Sequence, residues 1–339
     1  MSSDSPPVVT VVVTAYDRRS FVSGALDSAL HQTYPRSKYE VILIKNFADA
    51  ELDARCEKDQ VQVVNAEGSL GEYISIGISR ARGRVVCFLE DDDLFVPEKL
   101  STVAGIFDQY GFDYLHNGYS LISSAGDDIS LSGSKLLHLT SPSRQVQVAR
   151  SPQITPSVIG RLLRAEADFN LSCISISRTF GLSIREWVAK TRGCFDGFVF
   201  YMSLREGGPT IAWPGVLTKY RVHESLSLAD VSSGAAKERM VADGLQQAAT
   251  LRLAADLTPG EAVRGFILNT MHVRDIRNAV FSAAPGRLRL VPVSVKVLFR
   301  SSLDRNFYGI AWGSIGLLYV AIGGGASSMV ASFLRHGMG

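Results

Sequence analysis

Residues 8–13 read VVTVVV, six side chains in succession that branch at Cβ and carry no charge. Branching stiffens the side chain and suits a pleated strand better than a helix. A strand with no polar alternation has no face to give to solvent, so layers must cover it on both sides. The same requirement recurs downstream. Apolar runs at 39–44, 61–64 and 85–89 read as further buried strands, and between them apolar residues take up helical spacing. Phe21, Val22, Ala25, Leu26, Ala29 and Leu30 form one such stripe. Residues 74–81 suit a second helix ending before Gly83, a residue type favoured just past helix ends. Alternating strand and helix predicts an α/β domain, a mainly parallel sheet flanked by helices. Such sheets bind ligands beyond the carboxyl ends of their strands. The turn Thr14, Ala15, Tyr16, Asp17 and the acids at 90–93 both follow predicted strands, so they are expected to share one cleft.

Further along, the pattern predicts a helix over 99–110, a strand over 114–122 and a turn over 123–128. Residues 132–159, rich in Ser and Pro, read as a long loop. A strand over 169–176, helices over 183–192 and 195–205, and a strand over 216–220 follow. Helices over 238–253 and 261–281 are separated by the start signal Thr258-Pro259. The expected organisation is a catalytic-type α/β domain at 1–228, a helical region at 229–290 and a basic, apolar, membrane-associated tail at 291–339.

The stretch VVCFLEDDDLFVPEKL, residues 85–100, ends an oily strand in Glu90, Asp91, Asp92 and Asp93. Side chains alternate faces along a strand, so at least two of these carboxylates point the same way. Like charges 4 Å apart repel by about 4 kcal/mol at an effective dielectric near 20. Two arrangements relieve that repulsion. The acids can be solvated in a turn, with Asp93 capping the helix near Pro97. Alternatively they can hold a hard divalent cation, which prefers carboxylate oxygens and keeps positions open for phosphate.

Composition is that of a globular protein, 46% hydrophobic and 20% charged over 339 residues, and a net charge of +2 gives no global argument for nucleic acid as a partner. The charge is unevenly spread. From residue 264 on, Arg264, Arg274, Arg277, Arg287, Arg289, Lys296, Arg300, Arg305 and Arg335 face only Asp275 and Asp304. The same region holds 307–334, which carries no charge and exceeds the ~20 residues that cross a bilayer core. It is rich in Gly, Ala and Ser, and admits a spanning helix, an interfacial or re-entrant anchor, or a pair of core helices. Gly309, Gly313 and Gly316 would let helices approach closely. Basic and apolar together suit an anionic membrane surface. Cys56, Cys87, Cys173 and Cys194 form no CxxC pair, and MSSDSPPVV has no signal-peptide pattern. The expected location is the cytoplasmic side of the cell membrane, with attachment through the C-terminal segment.

The ordered set of first-strand turn, acidic strand, Asp196 and the segment YRVH at 220–223 resembles an inverting family-2 glycosyltransferase of the GT-A fold, over about residues 8–225. In that family a loop often reading Pro-Thr-Tyr-Asn-Arg holds the nucleotide, and Thr14, Ala15, Tyr16, Asp17 and Arg18 are similar to it. The family's second strand usually ends in aspartates, where this chain has Lys45 and Asn46; Ile74-Ser75 stand where Arg-Asn is frequent. The acidic signature resembles Leu-Asp-x-Asp-Asp, with Glu90 first and Asp92 third. The resemblance implies that Asp92 and His223 hold Mn²⁺ or Mg²⁺. It also implies that Glu90, Asp91, Asn46 and Arg221 join the loop around the nucleotide-sugar, with Asp91 facing away from the cation, and that Asp93 supports the turn. Asp196, from the family's Glu-Asp pair, would be the general base, its plain structural alternative being a cap on the next helix. Asn170 lies where the acceptor would approach. The implied reaction moves a sugar from a UDP- or GDP-linked donor to a lipid-linked or glycan acceptor. The alternative is a catalytically silent scaffold of a membrane glycan-assembly complex, which the substitutions at Lys45-Asn46 and Ile74-Ser75 would suit. A nucleotidyltransferase would open with a Gly-rich basic loop, which residues 14–20 lack.

Overall fold

The computed structural model describes residues 7–129, 147–151, 153–222, 234–282, 287–303 and 307–322. The chain divides into two compact units, one of Met1–Ile129, Pro142–Ile154 and Arg161–Val222, the other of Ser130–Ser141, Thr155–Gly160 and His223–Gly339.

The first unit is built on strands β1 (Val9–Ala15), β2 (Tyr39–Lys45), β3 (Val61–Asn65), β4 (Val85–Glu90), β5 (Leu94–Phe95), β6 (Tyr114–Ile122), β7 (Gln147–Ala149), β8 (Ile174–Ser177) and β9 (Thr210–Arg221). Helices α1 (Val22–Leu30), α2 (Ala50–Lys58), α3 (Leu70–Arg80), α4 (Lys99–Tyr110), α5 (Pro156–Arg164, of which only the part from Arg161 belongs to this unit), α6 (Arg178–Val188) and α7 (Phe195–Glu206) are interspersed. Every residue of β1 is buried, as its branched, uncharged sequence requires. α3 starts in a reciprocal capping box, Ser69 accepting from the Glu72 N–H while the Glu72 side chain accepts from the Ser69 N–H. It then passes so close to β1 that a Cβ at Gly77 would come within 2.4 Å of Val12 Cγ1.

Sheet order is β3-β2-β1-β4-β8-β6-β9-β5, with β7 also on β9. Pairs β1–β2, β1–β4, β2–β3 and β6–β9 are parallel, whereas β4–β8, β6–β8, β5–β9 and β7–β9 are antiparallel. The mainly parallel expectation is therefore corrected to a mixed sheet. A short buried strand such as ISIS reads the same in either direction, so its local pattern carries no orientation.

Other boundaries shift as well. The strand expected at 169–176 opens instead with a 3₁₀ turn, Leu171–Cys173. α6 starts five residues before the expected 183, because Ser177 Oγ accepts from the Phe180 N–H and caps it there. The long loop expected at 132–159 gives way to β7 and to the start of α5, while 130–146 lie outside the described residues. α2, which the apolar pattern does not signal, is N-capped by Asp49 and buries only Leu52 and Cys56. Cys56, Cys87 and Cys173 are buried free thiols.

The second unit contains α8 (Gly234–Leu257), α9 (Glu261–Phe281), α10 (Leu290–Leu303) and α11 (Phe307–Ile322). Val273, Ile276, Val280, Phe281, Val297, Trp312 and Tyr319 form its core. Gly313 and Gly316 let α11 lie against Leu298 and Ser294 of α10 and Ile276 of α9. Among the described residues no helix is long and apolar enough to cross a membrane. Of the uncharged stretch 307–334, residues 323–334 lie outside the described residues.

Candidate active site

Register decides which residues meet. Thr14 sits opposite Ile44 on one side and Glu90 on the other, and Ala15 sits opposite Lys45. The loop after β1, the end of β2 and the acids after β4 therefore leave the sheet at one edge, and the Asp91 N–H donates to Thr14 O at 3.1 Å. β8 runs antiparallel to β4, so its beginning lies at that same edge. There Ser172 Oγ accepts from the Glu90 N–H at 3.0 Å. β9 ends there too, with Arg221 opposite Ile122.

The first loop is clasped to β2. Asp17 takes a left-handed backbone, φ 55°. Its N–H donates to Asn46 Oδ1 at 2.9 Å, and Asn46 Nδ2 donates to Asp17 Oδ1 at 2.6 Å. Tyr16 is exposed, its ring 5.7 Å from that of Tyr73. Thr14 is buried, and its hydroxyl has no hydrogen-bond partner among the described residues. Lys45 takes no part in the clasp. It is fully buried, donates to Phe47 O at 2.7 Å, and lies 3.0 Å from Asp53 of α2. Ile74, in the place of the family's arginine, is core.

The four acids have different partners. Arg18 forks onto Asp91, Nε to Oδ2 at 2.9 Å and Nη2 to Oδ1 at 2.7 Å, and its Nη2 is also 2.8 Å from Asp92 Oδ2. Asp91 and Asp92, expected to part company, share the Arg18 guanidinium. The chain has left β4 by residue 91, so strand alternation no longer separates neighbours. Asp93 is 1% exposed and does not cap the next helix. It accepts from the Arg221 N–H at 2.9 Å and from Asn170 Nδ2 at 3.0 Å. Arg221 braces the same turn, Nε donating to Asp92 O at 2.6 Å and Nη1 to the carbonyls of Ser123 and Ser124 at 3.0 Å. Burial, then the neighbouring Asp92, Asp93, Asp196 and Asp91, push the Glu90 carboxyl well above the usual range. Burial and Asp92 push Asp93 up to about 7, and burial raises Asp91 despite Arg18.

Asp196 lies in the first turn of α7, which follows Cys194 in a left-handed conformation, φ 53°. Its Oδ1 accepts from the Gly197 N–H at 2.8 Å, and Oδ2 accepts from the Asn170 N–H at 3.0 Å. Asn170 thereby links the candidate base to the acid cluster. It is buried, also at left-handed φ (59°), and its Oδ1 accepts from the Ser172 N–H at 2.7 Å. His223 lies outside the described residues.

Hard carboxylate oxygens are the donors that Mg²⁺ and Mn²⁺ prefer, and the acids at 90–93 outnumber the guanidinium groups of Arg18 and Arg221 beside them. The donor chemistry thus fits a divalent ion. Among the described residues, however, no group of three or more His, Cys, Asp and Glu side chains is arranged to hold one.

Sequence reasoning passed over Lys99, whose place on the apolar stripe of α4 was the available signal. Its ammonium is fully buried and donates to Asn117 Oδ1 at 2.9 Å, Ser172 O at 2.6 Å and Thr218 Oγ1 at 3.1 Å. Burial lowers its pKa to about 8. Ser172 was missed as well. It holds Glu90 by its hydroxyl and Asn170 by its N–H, and nothing in the pattern of the chain marks it.

Residues 10–146 match the family model described as glycosyl transferase family 2. An uncharacterized glycosyltransferase of Rickettsia bellii is 28% identical over 127 residues, 35% of this chain and 18% of that protein. The poly(ribitol-phosphate) beta-N-acetylglucosaminyltransferase TarS of Staphylococcus aureus is 22% identical over 191 residues, 49% of this chain and 33% of TarS. The match thus spans a third or less of the length of either relative. The crystal structure of S. aureus TarS 1–349 in complex with UDP-GlcNAc superposes with a TM-score of 0.57 at 15% identity, covering 97% of this chain and 92% of that one. The fold is accordingly GT-A-like, and residues 10–146 are similar to glycosyl transferase family 2.

Proposed function

We propose that the protein is an inverting glycosyltransferase that uses a nucleoside-diphosphate sugar as donor. The observation that carries this reading is the bridge made by Asn170, which holds Asp196 and Asp93 on one rim. On the same rim the loop at 14–17 is fastened to Asn46. In this reading the loop takes the nucleotide, Tyr16 offers an exposed ring to the base, and Glu90 lies toward the sugar. Arg18 and Arg221 set the acid turn, with Asp91 as the anchor for Arg18. Asp196 accepts the proton of the acceptor hydroxyl as that oxygen attacks the anomeric carbon from the face opposite the diphosphate. The bond from carbon to diphosphate oxygen breaks, and the electron pair leaves with the diphosphate. Asp92, with His223, would hold Mg²⁺ or Mn²⁺, which supplies charge neutralisation for the diphosphate.

UDP-N-acetylglucosamine is the first donor to test, because TarS, with a similar fold, was crystallised with it and bears an N-acetylglucosaminyltransferase name. The acceptor we propose is lipid-linked, presented at the cytoplasmic membrane face. The basic and uncharged composition of residues 264–339 supports that choice.

The test is turnover of UDP- and GDP-sugars with Mn²⁺ and membrane lipid extract. Asp196→Asn should lower turnover by about 10²–10⁴-fold, the range for a general base, while calorimetry still records donor binding. Equal turnover in Asp196→Asn would remove its role as base, and equal turnover in Asp92→Ala would remove the metal role. Absence of donor binding by the unmodified chain would favour the silent scaffold.

A further inference from the structure

α10 has no acid and presents a continuous outward face. Leu288 just before it, then Val291, Val295 and Phe299, are 73%, 37%, 51% and 69% exposed, and Pro292 is exposed between them. At 100° per residue Val291, Pro292, Val295 and Phe299 fall within an arc of about 100°. Arg289 and Lys296, both exposed, lie along one flank of that arc. The opposite face is spent inside the bundle, where Ser294, Val297 and Ser301 are buried. α11, the uncharged helix, has one exposed large apolar side chain among its described residues, Leu318 at 37%, and no comparable stripe. Its Trp312 and Tyr319 are each 3% exposed, and its glycines seat it on α10 and α9.

We propose that this face of α10, rather than α11, is a docking surface for an anionic lipid bilayer. The helix would lie in the interface with Leu288, Val291, Val295 and Phe299 among the acyl chains and Arg289 and Lys296 at the headgroups. An apolar stripe flanked by Lys and Arg is the pattern of helices that lie in a membrane surface. The charge also selects against a second copy of the same face. A twofold contact would set Arg289 and Lys296 against their own kind, and neither α10 nor α11 contains an acid to answer them. This assignment rests on the membrane-side acceptor proposed above only for its purpose, since lipid binding is measured without sugar transfer.

The experiment is co-sedimentation of the full chain with vesicles of phosphatidylcholine alone and of phosphatidylcholine with phosphatidylglycerol. The unmodified chain should partition into the anionic vesicles and lose that partitioning in high salt. Phe299→Asp should weaken it by about tenfold or more, and Lys296→Glu by about fivefold or more. Leu245→Asp, at an exposed apolar residue of α8, should leave it unchanged. Melting temperatures of all variants should match, since each site is exposed. Donor hydrolysis in solution should be the same in Phe299→Asp as in the unmodified chain. Loss of hydrolysis in every sample would count against the transferase and leave the lipid result standing. The proposal is overturned if the unmodified chain ignores both vesicles, if Phe299→Asp binds as well as it does, or if Phe299→Asp merely converts a dimer to a monomer.

Discussion

Asn170 is the residue on which the site turns. The family resemblance puts it on the acceptor side as an expectation, and in the fold each of its polar atoms named above serves another residue: the N–H serves Asp196, Nδ2 serves Asp93 and Oδ1 serves Ser172. It thus positions two acids and does so from a left-handed backbone, which Asn tolerates better than most residues. Asn170→Ala keeps the N–H but leaves Asp93 and the Ser172 N–H each short of a partner. The expected cost is about 1–3 kcal/mol of stability for unsatisfied buried groups, read by denaturant titration, with a lower kcat. Asn170→Gly relieves the backbone but not the lost bonds, so it should fall in the same range. Glu90 and Asp92 were legible because four successive acids after an oily strand demand an explanation. Ser172 was not, because a serine acquires its meaning only from what folds against it, and Lys99 showed only as a lysine on an apolar helix stripe.

At the scale of elements, the contact of α3 with β1 holds the layer that supports the loop at 14–17. Gly77 is where they meet, and a methyl group there would collide with Val12. Gly77→Ala should destabilise the protein by about 1–3 kcal/mol, the cost of overpacking, and lower its melting temperature. Gly105→Ala on α4, where nothing lies within 4 Å of the added carbon, is the matched control and should be neutral or slightly stabilising. The element most difficult to read was β8. Its four residues contain no direction, and its antiparallel course is what brings Asn170 and Ser172 to the carboxyl ends of β1 and β4. α6 was misplaced for a related reason, since the cap Ser177 is indistinguishable in sequence from the serines around it.

For the whole molecule, buried His116 and half-buried Glu166 pull stability in opposite senses with pH. His116, 2% exposed and bonded through Nε2 to Phe169 O at 2.7 Å, has its pKa lowered by burial from 6.5 to about 4. Its folded pKa lies below its unfolded one, so its contribution is full above pH 6.5 and is lost as pH falls toward 4, by up to about 3 kcal/mol. Glu166 behaves in the opposite sense. Burial raises it from 4.5 to about 7 while Tyr119 donates to its Oε2 at 2.7 Å. Its contribution is full below pH 4.5 and is lost as pH rises through 7. Between pH 4.5 and 6.5 the two contributions run against each other, so each is read from denaturation midpoints as the difference between a variant and the unmodified chain. Glu166→Gln should make the loss of stability from pH 4.5 to 8 shallower without abolishing it, because Asp93 and Glu90 are raised in the same sense; an unchanged slope would show that Glu166 contributes nothing to it.

By itself the sequence determined that strands and helices alternate, that the first loop and the acid cluster follow successive core strands, and that the C-terminal part is basic and apolar. These are properties of neighbours along the chain, set by side-chain branching, helical spacing and like-charge repulsion. Only the tertiary structure decided that the sheet is mixed, that Arg18 joins Asp91 to Asp92, that Asn170 ties Asp93 to Asp196, and that α10 rather than α11 carries the exposed apolar stripe. Those pairings span tens of residues and depend on strand direction and register, which a short buried segment does not encode.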